Sequence, residues 1–505
     1  MKNARGILLL LVLAALLPGQ SAELTSHDAM MALLEGLAAS SPLVSLQRIG
    51  TSVEGRGIPA LFLSRGAFAS GREKKPLVLV FCQQHGDEPS GKEAALLLAA
   101  DLAGPGRKML ERLDLILVPS LNPDGSERRQ RRNANDRDLN RNHVLLSEPE
   151  VVALHELFQR WFPEIVIDVH EYGAVSKRWI ALGMLKNADE MLGWVSNLNI
   201  DAAIRSYSQD VFFPAMRQKV QRDGYVLFPY VVGAPGENER LRYSTTDIDD
   251  GRQGLGIYNT LAFILEGKGY GDVDNMLERR RAAQFSALKA FLEVCGEHGP
   301  EIMATVRAAR SRLIGDVAPG ERAYVRMDYF PDPEHPSIRF PVFNLEKWRA
   351  EFREWSCFEP LVKVKKSVPL PAAYVIPGGE SALIDLLRRH GLRLHRLAAP
   401  AELELETTRV LHVAARLEEE RTLPEYDLEK ASARIRLPAG DVLVFLRQRG
   451  RLLIPLLLEP ESSWGILTDT GGVPSRFAHY AREGKTYPVL RLMEKADLPL
   501  EEIKY

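Results

Sequence analysis

Four short, mainly apolar runs constrain this chain more than any other feature: residues 77–82, 115–118, 165–169 and 261–265. They are rich in Leu, Val and Ile and show little polar alternation, the pattern of strands buried on both faces. Helical segments lie between them. Residues 89–102 begin with Pro89 and continue through GKEAALLLAADL. Proline suits a first helical turn, where its missing N–H would have no intrahelical partner. Ser147 stands at an N-cap position ahead of EPEVVALHELFQRWF, with Glu148 and Glu150 in the first turn. Residues 273–296 read as a long amphipathic helix closed by a glycine. Strands and helices in alternation predict an α/β fold with a mixed, mostly parallel twisted sheet and helices on both faces.

The chain has 505 residues, long enough for two or three domains. Lys2 and Arg5 precede an apolar stretch from residue 7 to 17, then small residues at Gly19, Ser21 and Ala22. This layout predicts a signal peptide over residues 1–22 and an exported protein, periplasmic or extracellular, with no stable membrane span once the signal is removed. Alternation continues to about residue 298, and residues 23–305 are expected to form one domain. Beyond it, Pro- and turn-rich stretches and strand–turn–helix patterns predict a smaller α+β domain over 306–505. Three cysteines without CxxC spacing exclude a disulfide framework and a thiolate zinc site. A formal net charge of −2 gives no global reason to expect nucleic acid.

Chemistry gathers just past the strands. The first run leads into QQHGDEPSGKE with His85 and Glu88, the third into His170, and the fourth into Glu266. In open α/β sheets ligands bind beyond the carboxyl ends of the strands, so groups distant in sequence are expected to meet there. Two imidazoles and a carboxylate form a known catalytic zinc shell that leaves a fourth position open. His85 and Glu88 alone also suit a helix start, with Glu88 near its N-terminus. Residues 122–143 carry six arginines. Interspersed acids and the lack of aromatics there argue against nucleic acid, and guanidinium forks suit carboxylates.

HGDE, NPDG, RRNANDRDLNRN, IDVHEY and LAFILEGKG, in this order, resemble the zinc carboxypeptidase (M14 metallopeptidase) family over roughly residues 25–300. The resemblance implies a sheet of about eight strands in an α/β/α sandwich. It implies one Zn2+ per chain held by His85, Glu88 and His170, with Asp138 behind the first histidine. Glu266 corresponds to a general base acting on a zinc-activated water. Asn140 and Arg141 match the pair that grips a substrate's terminal carboxylate. Arg131 or Arg132 matches an arginine that stabilises the oxyanion, with Arg131 favoured. The function implied is removal of C-terminal residues from peptides. The partner expected is a peptide or peptide-like substrate with a free C-terminal carboxylate.

The spacing from Glu88 to His170 is short for the digestive carboxypeptidases. It is nearer to branches that act on peptidoglycan stem peptides or N-acyl amino acids, so an amidase of that kind is the alternative reading. An inactive zinc-binding module is a third, set against the presence of all three ligands and the base. Tyr243 is the candidate for the family's mobile tyrosine. Arg252, among Asp247, Asp249 and Asp250, is the candidate contact in a charged specificity pocket. His143 and His155 are read as ordinary surface or satisfied residues. The C-terminal region resembles the accessory domain of some bacterial members.

Overall fold

A computed structural model describes residues 24–236, 240–272, 274–418, 421–469 and 474–504. The expected signal peptide lies outside the described residues. The first eleven strands in chain order are β1 (Val44–Thr51), β2 (Gly57–Leu63), β3 (Leu77–Cys82), β4 (Asp114–Val118), β5 (Ile165–Gly173), β6 (Met184–Lys186), β7 (Glu190–Trp194), β8 (Leu227–Pro229), β9 (Val231–Val232), β10 (Leu241–Tyr243) and β11 (Leu261–Gly269). Eight of them form one sheet in the order β1-β2-β4-β3-β5-β11-β7-β8. Its four central strands run parallel, as buried runs joined by helices must. Antiparallel pairs, β1–β2, β2–β4 and β11–β7, flank that centre.

Strand β5 shows how the sandwich is built. Alternate residues face opposite ways. Val169 meets Gly91 of the helix Ser90–Ala103, where any larger side chain would collide with it. Two residues on, Glu171 pairs with Arg280 of the helix Leu277–Glu297. Asp168 faces the opposite layer, close against Gly251 of the short helix Gly251–Gly256. One strand therefore serves two helical layers, and its polar residues begin at Asp168, after three apolar ones.

The expected boundary at residue 305 falls inside the helix Gly299–Leu313. Later segments also return to the first part of the chain. The strand Ile338–Asn344 pairs with β6, and Phe358–Glu359 pairs with β10. The rest of the C-terminal region is strand-rich, with a seven-stranded sheet whose described pairings are all antiparallel. The helix Ser381–Arg389 joins it to the first part: His390 donates to Val144 O at 2.8 Å, and Tyr258 donates to His390 O at 2.8 Å. All three cysteines are free. No helix among the described residues is long and apolar enough to cross a membrane.

Candidate active site

The QQHGDE turn is shaped by backbone demands. Gln83 takes a left-handed conformation, with φ of 58°, and turns the chain sharply off β3. At Gly86 an added Cβ would lie 2.0 Å from the backbone carbon of Gly125, so no side chain fits. The turn brings His85 and Glu88 together before the helix begins at Ser90. His170 arrives near the end of β5, and Glu266 lies opposite it in register on β11.

Among the described residues, His85, Glu88 and His170 are the one His/Cys/Asp/Glu group with converging ligand atoms, all within 4.8 Å of one another. His85 Nδ1 is 2.8 Å from Glu88 Oε1, His170 Nδ1 is 2.9 Å from Glu88 Oε2, and the two Nδ1 atoms are 3.1 Å apart. Behind the rings, His85 Nε2 lies 3.0 Å from Asp138 Oδ1 and His170 Nε2 lies 2.8 Å from Asp168 Oδ1. Each rear carboxylate favours a proton on the facing Nε2, which turns both Nδ1 lone pairs toward Glu88. A centre of two lone pairs and a carboxylate repels itself unless a cation sits in it, and this donor set suits zinc. Burial alone would lower both histidines. Around His85, chiefly Glu88 and Asp138 reverse that and raise it, and around His170, Asp168 and Glu88 do so. Burial acts to raise the Glu88 and Asp138 carboxyls, but the histidines outweigh it and hold both well below the carboxylate range.

His85, Glu88 and His170 line a pocket of about 320 Å³ together with Arg131, Asn140, Arg141 and Glu266. Burial raises the Glu266 carboxyl to about 7, and Tyr230 hydrogen-bonds it. Arg131 Nη1 is 3.4 Å from Glu88 Oε1, and its Nε donates to Asp138 Oδ2 at 3.1 Å. Burial opposes the Arg141 charge, but Asp249, Asp138, Asp247 and Asp250 more than compensate and keep it firmly protonated.

Two expected contacts lie elsewhere. Tyr243 is buried in the core, where its ring stacks on Trp194 at 4.6 Å and its hydroxyl accepts from Trp194 N at 2.7 Å. The tyrosines that line the pocket are Tyr172 of β5 and Tyr230, from the link between β8 and β9. Local sequence does not separate Tyr230 from Tyr243, because both sit in short strand-like stretches of one long polar segment. Arg252 is fully buried behind the pocket wall, paired with Asp250 at 2.8 Å and bonded to Thr245 and Ser244. Its neighbours Thr245 and Asp250 are the ones that face the pocket. Of the adjacent arginines, Arg132 turns outward and donates to Asp136 O, so Arg131 alone reaches the site.

One pocket residue carried no signal in the sequence. Lys186 lines the pocket and donates to Val231 O at 3.2 Å, and burial lowers it to about 8. A lysine in a three-residue strand is normally solvated. Of the two readings for His143 and His155, surface or satisfied, the structure shows the second: both are buried and bond each other at 3.0 Å.

Residues 30–181 match the family model for zinc carboxypeptidases, Peptidase_M14. Carboxypeptidase 2 of Trichophyton rubrum is 26% identical over 490 residues, covering 93% of this chain and 86% of the relative. Carboxypeptidase SOL1 of Arabidopsis thaliana is 34% identical over 124 residues, 23% of this chain and 25% of the relative. Among solved structures, carboxypeptidase A from Helicoverpa armigera aligns with a TM-score of 0.43 at 18% identity, covering 58% of this chain and 80% of that one.

Proposed function

Because this chain carries a domain of the zinc carboxypeptidase family, we propose that it is an exported zinc-dependent metallocarboxypeptidase that removes C-terminal residues from peptides. One observation carries the reading: the His85–Glu88–His170 centre shares a pocket with Glu266 and with the Asn140–Arg141 pair. A zinc ion held by His85 Nδ1, Glu88 and His170 Nδ1 would supply Lewis acidity to a peptide carbonyl and lower the pKa of water.

The protein groups do the rest. Arg141 and the Asn140 amide grip the terminal carboxylate, which places the last peptide bond at the centre and excludes internal bonds. Arg131, held by Asp138, presents charge to the carbonyl oxygen as it becomes negative. Glu266 takes a proton from the attacking water and passes it to the leaving amine. A carboxyl raised toward 7 by burial is well matched to both transfers. Tyr230 orients that carboxyl through its hydrogen bond.

The test is a panel of peptides with free and amidated C-termini, muropeptides and N-acyl amino acids, assayed with and without a chelator. Chelator-sensitive release of C-terminal residues from free-carboxylate peptides alone is expected. Turnover restricted to muropeptides or acyl amino acids would move the protein to the amidase reading. Absence of all turnover in zinc-loaded protein would leave a binding module. Export is tested by N-terminal sequencing of secreted protein, which should begin close to Glu23.

A further inference from the structure

We propose that Gln84 is a positioning residue that ties the metal ligand His170 to the carboxylate-gripping Asn140, with Asp168 setting which way its amide points and His143 and His155 following that polarity. The inference rests on the roles given above to His170 and Asn140. Gln84 is completely buried in the turn between β3 and His85. Its Nε2 lies 2.8 Å from Asp168 Oδ2 and 3.1 Å from Asn140 Oδ1. An ionised carboxylate only accepts hydrogen bonds, so the amide nitrogen must face Asp168 and the amide oxygen must face away. That oxygen is 2.9 Å from His143 Nε2, which must then carry the ring proton. His143 Nδ1 is left as an acceptor, 3.0 Å from His155 Nε2, and the bridging proton belongs to His155. A flipped Gln84 would set three oxygens against one another inside the protein and leave its nitrogen facing an N–H.

This single orientation acts on both sides of the pocket. Asp168 uses Oδ2 for Gln84 and presents Oδ1 to His170 Nε2, which keeps His170 Nδ1 turned to the metal centre. Asn140 Oδ1 accepts from Gln84 and also from Gly251 N at 2.8 Å. Both of its lone pairs are then in use, so Asn140 offers its amide nitrogen to the pocket. A donor attracts a terminal carboxylate, whereas the oxygen of a flipped Asn140 would repel it. Gln84 therefore sets the polarity of the carboxylate grip and the aim of a metal ligand through one amide group.

The experiment compares full-length wild type, Gln84→Met, Asn140→Ala and the double variant, measuring kcat and KM on a free-carboxylate peptide and the zinc dissociation constant by chelator competition. Gln84→Met should raise KM and the zinc dissociation constant by about tenfold each. In the double variant KM should rise no further than in Asn140→Ala alone, because Gln84 acts on KM through Asn140. Independent, multiplicative KM effects with unchanged zinc affinity would overturn the inference while leaving the carboxylate grip standing. An unchanged KM in Asn140→Ala would overturn the grip itself and the inference with it. Should Gln84→Met not fold, Gln84→Glu has the same size and donates one of the two bonds at most. Retention of both wild-type KM and wild-type zinc affinity in that variant would sink the proposal.

Discussion

Two buried polar clusters in this molecule use similar residues to opposite ends. In the C-terminal sheet, Arg491 lies 3.1 Å from Glu459 and also pairs with Glu406, while Tyr374 donates to Glu459 at 2.6 Å. Lys430 adds a cation 3.0 Å from Glu461. Each charge there faces an opposite one, and the cluster closes on itself. At the end of the large sheet the reverse holds. Two imidazole nitrogens 3.1 Å apart and a carboxylate point at a common centre, with further carboxylates behind them. A balanced cluster ties strands together, whereas one whose donors converge on a common centre is built to receive a cation. The difference lies in orientation, since acids and bases are abundant in both.

Breaking each cluster should therefore fail in a different way. The largest effect is expected for His170→Ala, which removes a donor from the open cluster. Stoichiometric zinc and peptidase activity should both be lost in metal analysis and assay, and full retention of zinc would exclude His170 as a ligand. Next, Glu266→Gln should keep the zinc and lower kcat by about 10²–10⁴, the usual range for a general base. The wild-type acid limb of kcat/KM should lie at or below about pH 7, because burial raises Glu266 and a bound cation draws it down.

In the closed cluster, Arg491→Met strips a guanidinium from the buried Glu459 and Glu406 contacts. Stability in urea should fall by about 3–5 kcal/mol, the range for breaking a buried pair. Turnover per folded molecule should stay at the wild-type value, and a selective loss of kcat would show that the two regions are coupled. The smallest effect concerns the seam between them. Burial lowers His390 to about 4. Between pH 6.5 and 4 the unfolded chain takes up a proton there that the folded chain does not, so acidification costs stability, by about 1.4 kcal/mol per pH unit for one such group. His390→Gln should flatten the dependence of the urea midpoint on pH across that window. An unchanged slope would mean the proton uptake belongs to other groups.

Much of the site was legible because its chemistry follows the strand pattern. His85, Glu88, His170 and Glu266 each come just after or at the end of an apolar run, and parallel strands deliver such positions to one edge. The register of Arg131 and Arg132 was ambiguous in sequence, with Arg131 favoured, and the structure turns Arg132 outward onto Asp136 O. Tyr243 was read as a pocket residue because a long irregular segment has no periodicity to assign a direction, yet its side chain packs in the core against Trp194. Arg252 was read as a pocket residue, yet Asp250 and Thr245 hold it behind the wall.

The sequence by itself determined the central strands and put His85, Glu88, His170 and Glu266 at or just past their ends, since hydrophobic periodicity decides which residues are strands and where each one ends. Tertiary structure alone decided which side chains face inward at those ends. That choice depends on hydrogen-bond partners brought from elsewhere in the chain. Asp138 lies behind His85, Asp168 behind His170, and Gln84 lies between Asp168 and Asn140. An imidazole or amide has no preferred direction until a neighbour of fixed polarity imposes one.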